Sequence, residues 1–139
     1  MENLIYWTPS KHYELTLEAD QIVQRTMTRL KGNNIDLISA WADVDNIVDL
    51  QWLVEYMLQT CNRIVILASQ FEDMNLIVAK SAHIQHLYID EIMDLLVAKY
   101  KGCYHGNSTC SHATFYQYDM IPDVIDFVVE SVVIAMPKE

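Results

Sequence analysis

Short apolar runs alternate with amphipathic stretches along the whole chain. Runs rich in β-branched and aromatic residues predict five strands, at 3–7, 35–41, 63–69, 113–119 and 131–136. Between them, apolar residues recur at spacings of three and four, which predicts helices over 17–30, 48–61, 83–102 and 121–128. The elements therefore follow the order β-α-β-α-β-α-β-α-β.

Strict alternation of strands and helices predicts a parallel sheet with helices on both faces, because each parallel connection returns through a crossover helix. Five strands in a chain of 139 residues match the smaller doubly wound architecture, with strand order 2-1-3-4-5. We therefore expect an α/β, flavodoxin-like fold and a single domain over residues 1–139.

The charge balance restricts the partners that this surface could meet. The formal net charge is −10 and the isoelectric point is about 4.7. An acidic surface repels phosphate groups, so we expect no binding to nucleic acid or to anionic membranes. No apolar run is long enough to insert into a bilayer, and the N-terminus lacks a signal-peptide pattern. Three cysteines, an odd number, favour a reducing, cytoplasmic compartment.

Sequence patterns for nucleotide binding are missing. The first predicted strand is followed by "WTPSKHYE", which has no glycine. Phosphate-binding loops of the GxGxxG and GxxxxGK[ST] types need glycine there, since the backbone approaches the phosphates closely. We therefore expect neither a cofactor nor a catalytic site.

One segment, "GCYHGNSTCSH" (102–112), concentrates side chains with metal and redox chemistry. Cys103, His105, Cys110 and His112 could bind zinc, although one-residue spacing within each pair is unusual. A disulfide between the two cysteines would close a small loop, and Asn107 begins a glycosylation-type triplet. The glycine, asparagine and serine residues favour a polar connector, and the metal question stays open at this stage. Elsewhere, Asp49 is a candidate helix N-cap and Cys61 a candidate core thiol.

Several segments together resemble SEFIR domains, the cytoplasmic signalling modules of interleukin-17 receptors and their adaptor. "IDLISAWADVDNIVDLQWLVEYMLQTCNRIVILAS" is similar to the first half of such a domain, with Trp41 ending a strand, Trp52 opening a helix and Ser69 ending the next strand. "ATFYQYD", "MIPDVIDFV" and "VVIAMPKE" resemble the family's later strand, short helix and closing strand.

The resemblance implies a TIR-related, flavodoxin-like fold without enzymatic activity. It also implies contacts with other SEFIR proteins, as receptor tail or adaptor, in innate immune signal transduction, and homo-oligomers are compatible with it. Some TIR relatives cleave NAD with a glutamate in a Ser-x-x-Trp-x-x-x-Glu pattern. Here "QFEDMNLIVAK" follows Ser69 without a tryptophan, and Glu72 comes too early. A TIR-like NAD-hydrolysing or nucleotide-binding flavodoxin-like enzyme and a pathogen-derived mimic remain the alternatives.

The predicted partner-binding residues lie on the second and third helices and on one loop. If the third helix turns Ile84, Leu87, Tyr88, Leu95 and Leu96 to the sheet, an acidic stripe faces outward, formed by Gln85, His86, Asp90, Glu91 and Asp94. Such a stripe suits a basic partner, and the resemblance implies that this helix takes part in association. Phe71 and Met74 are expected to be exposed in the loop 70–75. Trp52 is either a core-edge residue or an interface anchor.

Overall fold

Residues 9–30, 34–60, 62–116 and 121–136 are the part of the chain that the computed structural model describes. They form one six-stranded sheet with helices on both faces. The elements are α1 (Pro9–Thr26), β1 (Thr28–Leu30), β2 (Ile35–Trp41), α2 (Ile47–Leu58), β3 (Arg63–Phe71), β4 (Asp73–Lys80), α3 (Ile89–Tyr100), β5 (Cys103–Gly106), β6 (Cys110–Phe115) and α4 (Ile121–Ala135).

The strand order in the sheet is β1-β2-β3-β4-β6-β5, and only β2 and β3 are parallel. The prediction of a five-stranded parallel sheet with order 2-1-3-4-5 is therefore wrong. Three strands, β1, β4 and β5, were missed, and all three pair antiparallel with the strand next to them in the sequence.

The hairpin between β3 and β4 explains most of that error. Phe71 pairs with Asp73, so the chain reverses through Glu72 alone, at a φ of 63°. Hairpins are usually marked by glycine or asparagine at such positions, and "FED" contains neither. The predicted exposed loop 70–75 is in fact this hairpin. Met74 is fully buried in it and Phe71 is half-buried, so the expectation that both are exposed is wrong for Met74.

The predicted last strand, 131–136, continues helix α4 instead. A continuous apolar run does not distinguish a buried strand from a buried helix by itself. The helical signal is the four-residue spacing of Val124, Val128, Val132 and Met136, all of which are buried.

The predicted strand 113–119 is displaced toward the N-terminus, because β6 spans Cys110–Phe115 and the expected connector before it contains β5. Gly106 has a φ of 143°, which a residue with a side chain rarely adopts, and a Cβ there would lie 2.4 Å from the Cys110 carbonyl oxygen. The first predicted strand, 3–7, and Cys61 lie outside the described residues.

The helix boundaries also differ from the predictions. Helix α1 begins at Pro9 and ends before β1, and α3 begins at Ile89, six residues after the predicted start at 83. The N-cap of α2 is Asn46, not Asp49, because the Asn46 side chain accepts a hydrogen bond from the Asp49 amide at 2.9 Å. None of the described helices combines the length and hydropathy that crossing a bilayer requires.

Two apolar cores lie on opposite faces of the sheet. Helices α1 and α2 pack on one face, where Ile38, Val65 and Ile77 are buried. Helices α3 and α4 pack on the other, where Ile66, Leu76 and Phe115 are buried, among others. The central strands β3 and β4 bury both faces, which accounts for their nearly continuous apolar sequence.

A buried lysine organises the segment that leads into α3. Lys80 is 7% exposed, and its ammonium donates hydrogen bonds to the carbonyl oxygens of Ile84, at 2.8 Å, and Leu87, at 2.6 Å. Burial lowers the pKa of Lys80, and the nearby Asp90 carboxylate acts in the opposite direction. Lys80 therefore stabilises the conformation of the loop that connects β4 to α3.

Replacing Lys80 by methionine should lower the free energy of unfolding by about 2 kcal/mol, because two buried carbonyl groups lose their donor. The matched control is Lys99→Met on the exposed side of α3, which should change it by less than about 0.5 kcal/mol. Urea unfolding followed by circular dichroism measures both, and equal stability of the two variants would refute the role of Lys80.

Candidate functional site at the open edge of the sheet

The helices leave the outer part of one sheet face uncovered. Residues of β4 that point to α1 and α2, such as Ile77 and Ala79, are buried, whereas no residue of β5 or β6 belongs to that described core. Paired residues of neighbouring strands share a face, so the uncovered surface follows from the register. We call this surface the open face; it comprises Cys103, His105, Cys110, His112, Thr114 and Tyr116, with Asn75 buried at its inner border.

Two histidines form the centre of the open face. His105 pairs with His112 across β5 and β6, and their rings meet edge to face with centroids 5.2 Å apart. His112 Nε2 lies 2.9 Å from Asn75 Oδ1. The Asn75 amide nitrogen donates to the carbonyl oxygens of Phe71 and Asp73, which orients Oδ1 toward the ring. Since Oδ1 only accepts, Nε2 of His112 must carry the hydrogen.

The environment of His112 disfavours its charged form. Burial lowers the pKa of His112, and the neighbouring His105 lowers it further. At neutral pH the His112 ring is therefore an uncharged donor and aromatic surface, held in place by Asn75.

The cysteines of the open face are free, and the surroundings of Cys110 disfavour its thiolate. Both Cys103 and Cys110 are exposed and outside any disulfide. Desolvation raises the pKa of the Cys110 thiol, and the Glu55 carboxylate on α2 raises it further. Cys103 interacts with Tyr116, and this contact is the main cause of the raised pKa of Tyr116. A raised thiol pKa favours the protonated, less reactive form.

The register decides between the alternatives for the segment 102–112. Cys103 pairs with Thr114, and Cys110 lies four residues farther along β6, about 13 Å at the usual strand rise. That separation rules out a disulfide. Among the described residues, no group of three or more suitable side chains could hold a metal ion. The connector interpretation holds only for the turn, where Asn107 Oδ1 accepts from the amides of Thr109 and Cys110.

A second concave surface lies beside the carboxyl ends of β2 and β3. This acidic cleft has a volume of about 400 Å³, and Lys11 is joined in its lining by Glu14, Glu18, Asp43, Asp45 and Asp49. The buried Asp49 carboxylate contacts the Lys11 ammonium at 2.6 Å, and this hydrogen bond raises the pKa of Lys11. Ser69 donates to the carbonyl oxygens of Ala42 and Val44, which fixes the loop at the rim. The excess of carboxylates makes the cleft unsuitable for phosphate groups.

The structure distributes the predicted partner-binding residues over different environments. Trp52 stacks on Tyr56 with centroids 5.1 Å apart and meets the His12 ring edge to face, so it packs helix α1 against α2. The residues of the predicted acidic stripe lie at the surface, since four of them are exposed and Asp90 is half-exposed. The exposed ones are Gln85, His86, Glu91 and Asp94. The role of these residues in binding a partner stays a prediction.

Two helix residues that were expected to face the sheet point outward. Tyr88 is 52% exposed and Leu95 is 61% exposed. The face that α3 turns to the sheet is formed by Ile89, Ile92, Met93 and Leu96. The open face itself was missed, although the alternation of polar and apolar residues in "CSHATF" indicates a half-covered strand.

Comparisons with known proteins find structures with a similar fold but assign the chain to no family. No protein-family model matches the chain, and no curated protein does either. Among solved structures, the C-Ala domain of Aquifex aeolicus alanyl-tRNA synthetase is similar, with a TM-score of 0.65 and 16% identity over 80% of this chain and 99% of that domain.

Two further solved structures share the fold. A DHH domain from a protein described as belonging to a family of ribosomal proteins matches with a TM-score of 0.62 and 12% identity over 93% of this chain. RecJ of Thermus thermophilus, solved with Mg²⁺, matches with a TM-score of 0.65 and 12% identity over 91% of this chain. The chain spans only 32% of the first protein and 18% of the second.

These neighbours overturn the resemblance to SEFIR domains. The mixed sheet and the similarity to C-Ala and DHH structures contradict a SEFIR or TIR-like fold, and with it the interleukin-17 signalling role, the SEFIR partners and the TIR-like enzyme alternative. The exclusion of nucleic acid does not hold either, because it rested on net charge and a domain of a tRNA synthetase shares this fold.

The pKa of His112 gives this site a measurable pH signature. Unfolding should become easier as the pH falls through about 6.5, because the unfolded chain binds a proton that folded His112 resists. His112→Gln keeps an amide donor for Asn75 but does not titrate, so the difference in unfolding free energy between about pH 7.5 and about pH 5 should shrink.

The control for this measurement is His86→Gln, which removes a histidine from the exposed loop before α3 and leaves His112 and Asn75 in place. The urea midpoints of the wild type and both variants, measured at both pH values, test this prediction. If His112→Gln and the wild type lose the same stability on acidification, the environment described for His112 is incorrect.

Proposed function

We propose that this chain is a non-enzymatic binding module that holds single-stranded RNA on its open face. The observation that carries the proposal is an uncovered, uncharged, aromatic sheet surface on a fold that it shares with a domain of alanyl-tRNA synthetase. That domain matches over 99% of its length, which supports a role as a module of this size.

The side chains of the open face suit unpaired bases. His105, His112 and Tyr116 offer ring surfaces, and sheet modules bind splayed bases by stacking them on such rings. Thr114 adds a hydroxyl beside the rings, at the position paired with Asn75 across β4 and β6, while the buried Asn75 holds the His112 ring. Unpaired bases expose the faces and edges that these groups need, whereas bases in a duplex do not.

The charge distribution determines which kind of nucleic acid contact is favourable. The net charge of −10 opposes binding through phosphate groups. The open face itself contains no Asp, Glu, Lys or Arg, and Asp73 and Glu55 lie at its borders. Binding therefore relies on stacking and hydrogen bonds, which gives a shallow dependence on salt and disfavours duplexes.

The chemistry of the same side chains supports binding over catalysis. The Cys110 thiol has a raised pKa, which favours the protonated form and makes it a poor nucleophile. Two exposed free cysteines also support a reducing, cytoplasmic site of action.

The test is fluorescence anisotropy with a labelled single-stranded RNA of about 12 nucleotides. Replacing Tyr116 or His105 by alanine should weaken binding about tenfold, because each lost stacking contact costs about 1–3 kcal/mol. Tyr116 is 64% exposed, so its removal should not disturb folding.

The matched control is Tyr13→Ala, since Tyr13 is 67% exposed on α1, away from the open face. It should bind RNA like the wild type. A duplex of the same sequence should bind more weakly than the single strand. Unchanged binding by both open-face variants, or a steep fall of affinity with salt, would contradict the proposal.

A further inference from the structure

Helices α3 and α4 lie antiparallel and separate at one end to form a groove. At the closed end, Tyr100 contacts the Phe127 ring, with centroids 6.0 Å apart. At the other end, the first turns of α3 and the last turn of α4 leave a space of about 310 Å³. We call it the α3–α4 groove; its lining includes Tyr88, Glu91, Ile92, Leu95, Ile134 and Ala135.

The groove exposes large apolar side chains. Ile134 is 83% exposed, Leu95 is 61% exposed and Tyr88 is 52% exposed. Single exposed apolar residues are ordinary, but several that line one groove form a surface suited to protein contact. The groove lies on the α3 and α4 side of the sheet, opposite the open face, so both surfaces can be occupied together.

The two helices that form the groove carry a large excess of negative charge. Helices α3 and α4 carry Lys99 as their only basic residue, against six carboxylates, at Asp90, Glu91, Asp94, Asp123, Asp126 and Glu130. Glu91 lines the groove directly. Asp94 instead accepts a hydrogen bond from the Tyr104 hydroxyl of β5 at 2.5 Å, so its carboxylate contributes only to the general negative charge of this side of the molecule.

An apolar floor with an acidic border specifies the complementary ligand. An amphipathic helix that places apolar residues at i, i+3, i+4 and i+7 fills such a groove, and lysine or arginine residues at its edges meet the carboxylates. A second copy of this chain fits poorly, because it would bring the same acidic border and a net charge of −10.

We propose that the α3–α4 groove docks a basic amphipathic helix of a partner protein. This inference goes beyond the proposed RNA binding and is independent of it, because it concerns the opposite side of the sheet. It gives the predicted residues His86 and Glu91 a specific role, because both line a groove whose apolar floor supplies most of the contact.

The test uses a designed helical peptide of about 18 residues, five helical turns, with leucines on one face and lysine and arginine beside them. Titration calorimetry with the whole chain should detect binding that weakens with added salt. A peptide with the same composition, but with leucines spread around the helix, should bind at least about tenfold more weakly.

Variants of the chain localise the binding. Leu95→Gln and Ile134→Gln should each reduce peptide affinity by about tenfold, and Glu91→Lys should reduce it while leaving folding unchanged. The matched control is Val133→Gln, because Val133 is 42% exposed on the same helix but does not line the groove. RNA binding should be unaffected by all four substitutions.

Three results would overturn the inference. Equal binding of the two peptides would show that composition, not a helical face, is recognised. Unchanged binding by Leu95→Gln, Ile134→Gln and Glu91→Lys would place the peptide elsewhere. Self-association of the wild type in sedimentation, abolished by Leu95→Gln, would identify a second copy as the occupant.

Discussion

The reversal of the chain at Glu72 determines how the rest of the sheet is built. Eight residue pairs join β3 to β4, from Ile64 with Lys80 to Phe71 with Asp73, so β4 returns beside β3 in the buried centre. Its other edge then pairs with β6, and β5 closes the order at the margin. The turn at Glu72 therefore places the apolar run at 74–79 between β3 and β6.

This arrangement makes the two sides of the sheet unequal. Helices α1 and α2 pack over the part of the sheet that ends at β4. On that side, β6 and β5 are therefore left uncovered. On the other side, α3 extends over β6, where Ala113 and Phe115 are buried, and α4 packs on β2 and β3. The hairpin at Glu72 thus places β6 and β5 beyond the reach of α1 and α2, and this leaves the open face uncovered.

The sequence pattern predicted some of these features and not others, for identifiable reasons. The strands at 35–41 and 63–69 and the helix around 48–61 were predictable, because continuous or periodic apolar runs specify them directly. The hairpin at Glu72 was not, because its turn has no glycine or asparagine. The α4 continuation past Val128 could have been predicted from the four-residue spacing of its buried residues.

The candidate site illustrates the same limit. The residues of "GCYHGNSTCSH" attracted attention through their chemistry, but their function depends on which of them share a face. His105 and His112 meet only because β5 and β6 pair in one register, and Asn75 joins them from a strand about thirty residues earlier. A charge total of −10 likewise did not reveal that carboxylates concentrate in the cleft and on α3 and α4, away from the open face.

The most direct test of this account is a map of backbone amide chemical shifts in the isotope-labelled chain while single-stranded RNA is added. The account predicts that the largest changes fall in β5, in β6 and at Asn75, while α3, α4 and the acidic cleft stay nearly unchanged. Changes concentrated on the helices or in the cleft, or no changes on the open face, would contradict it.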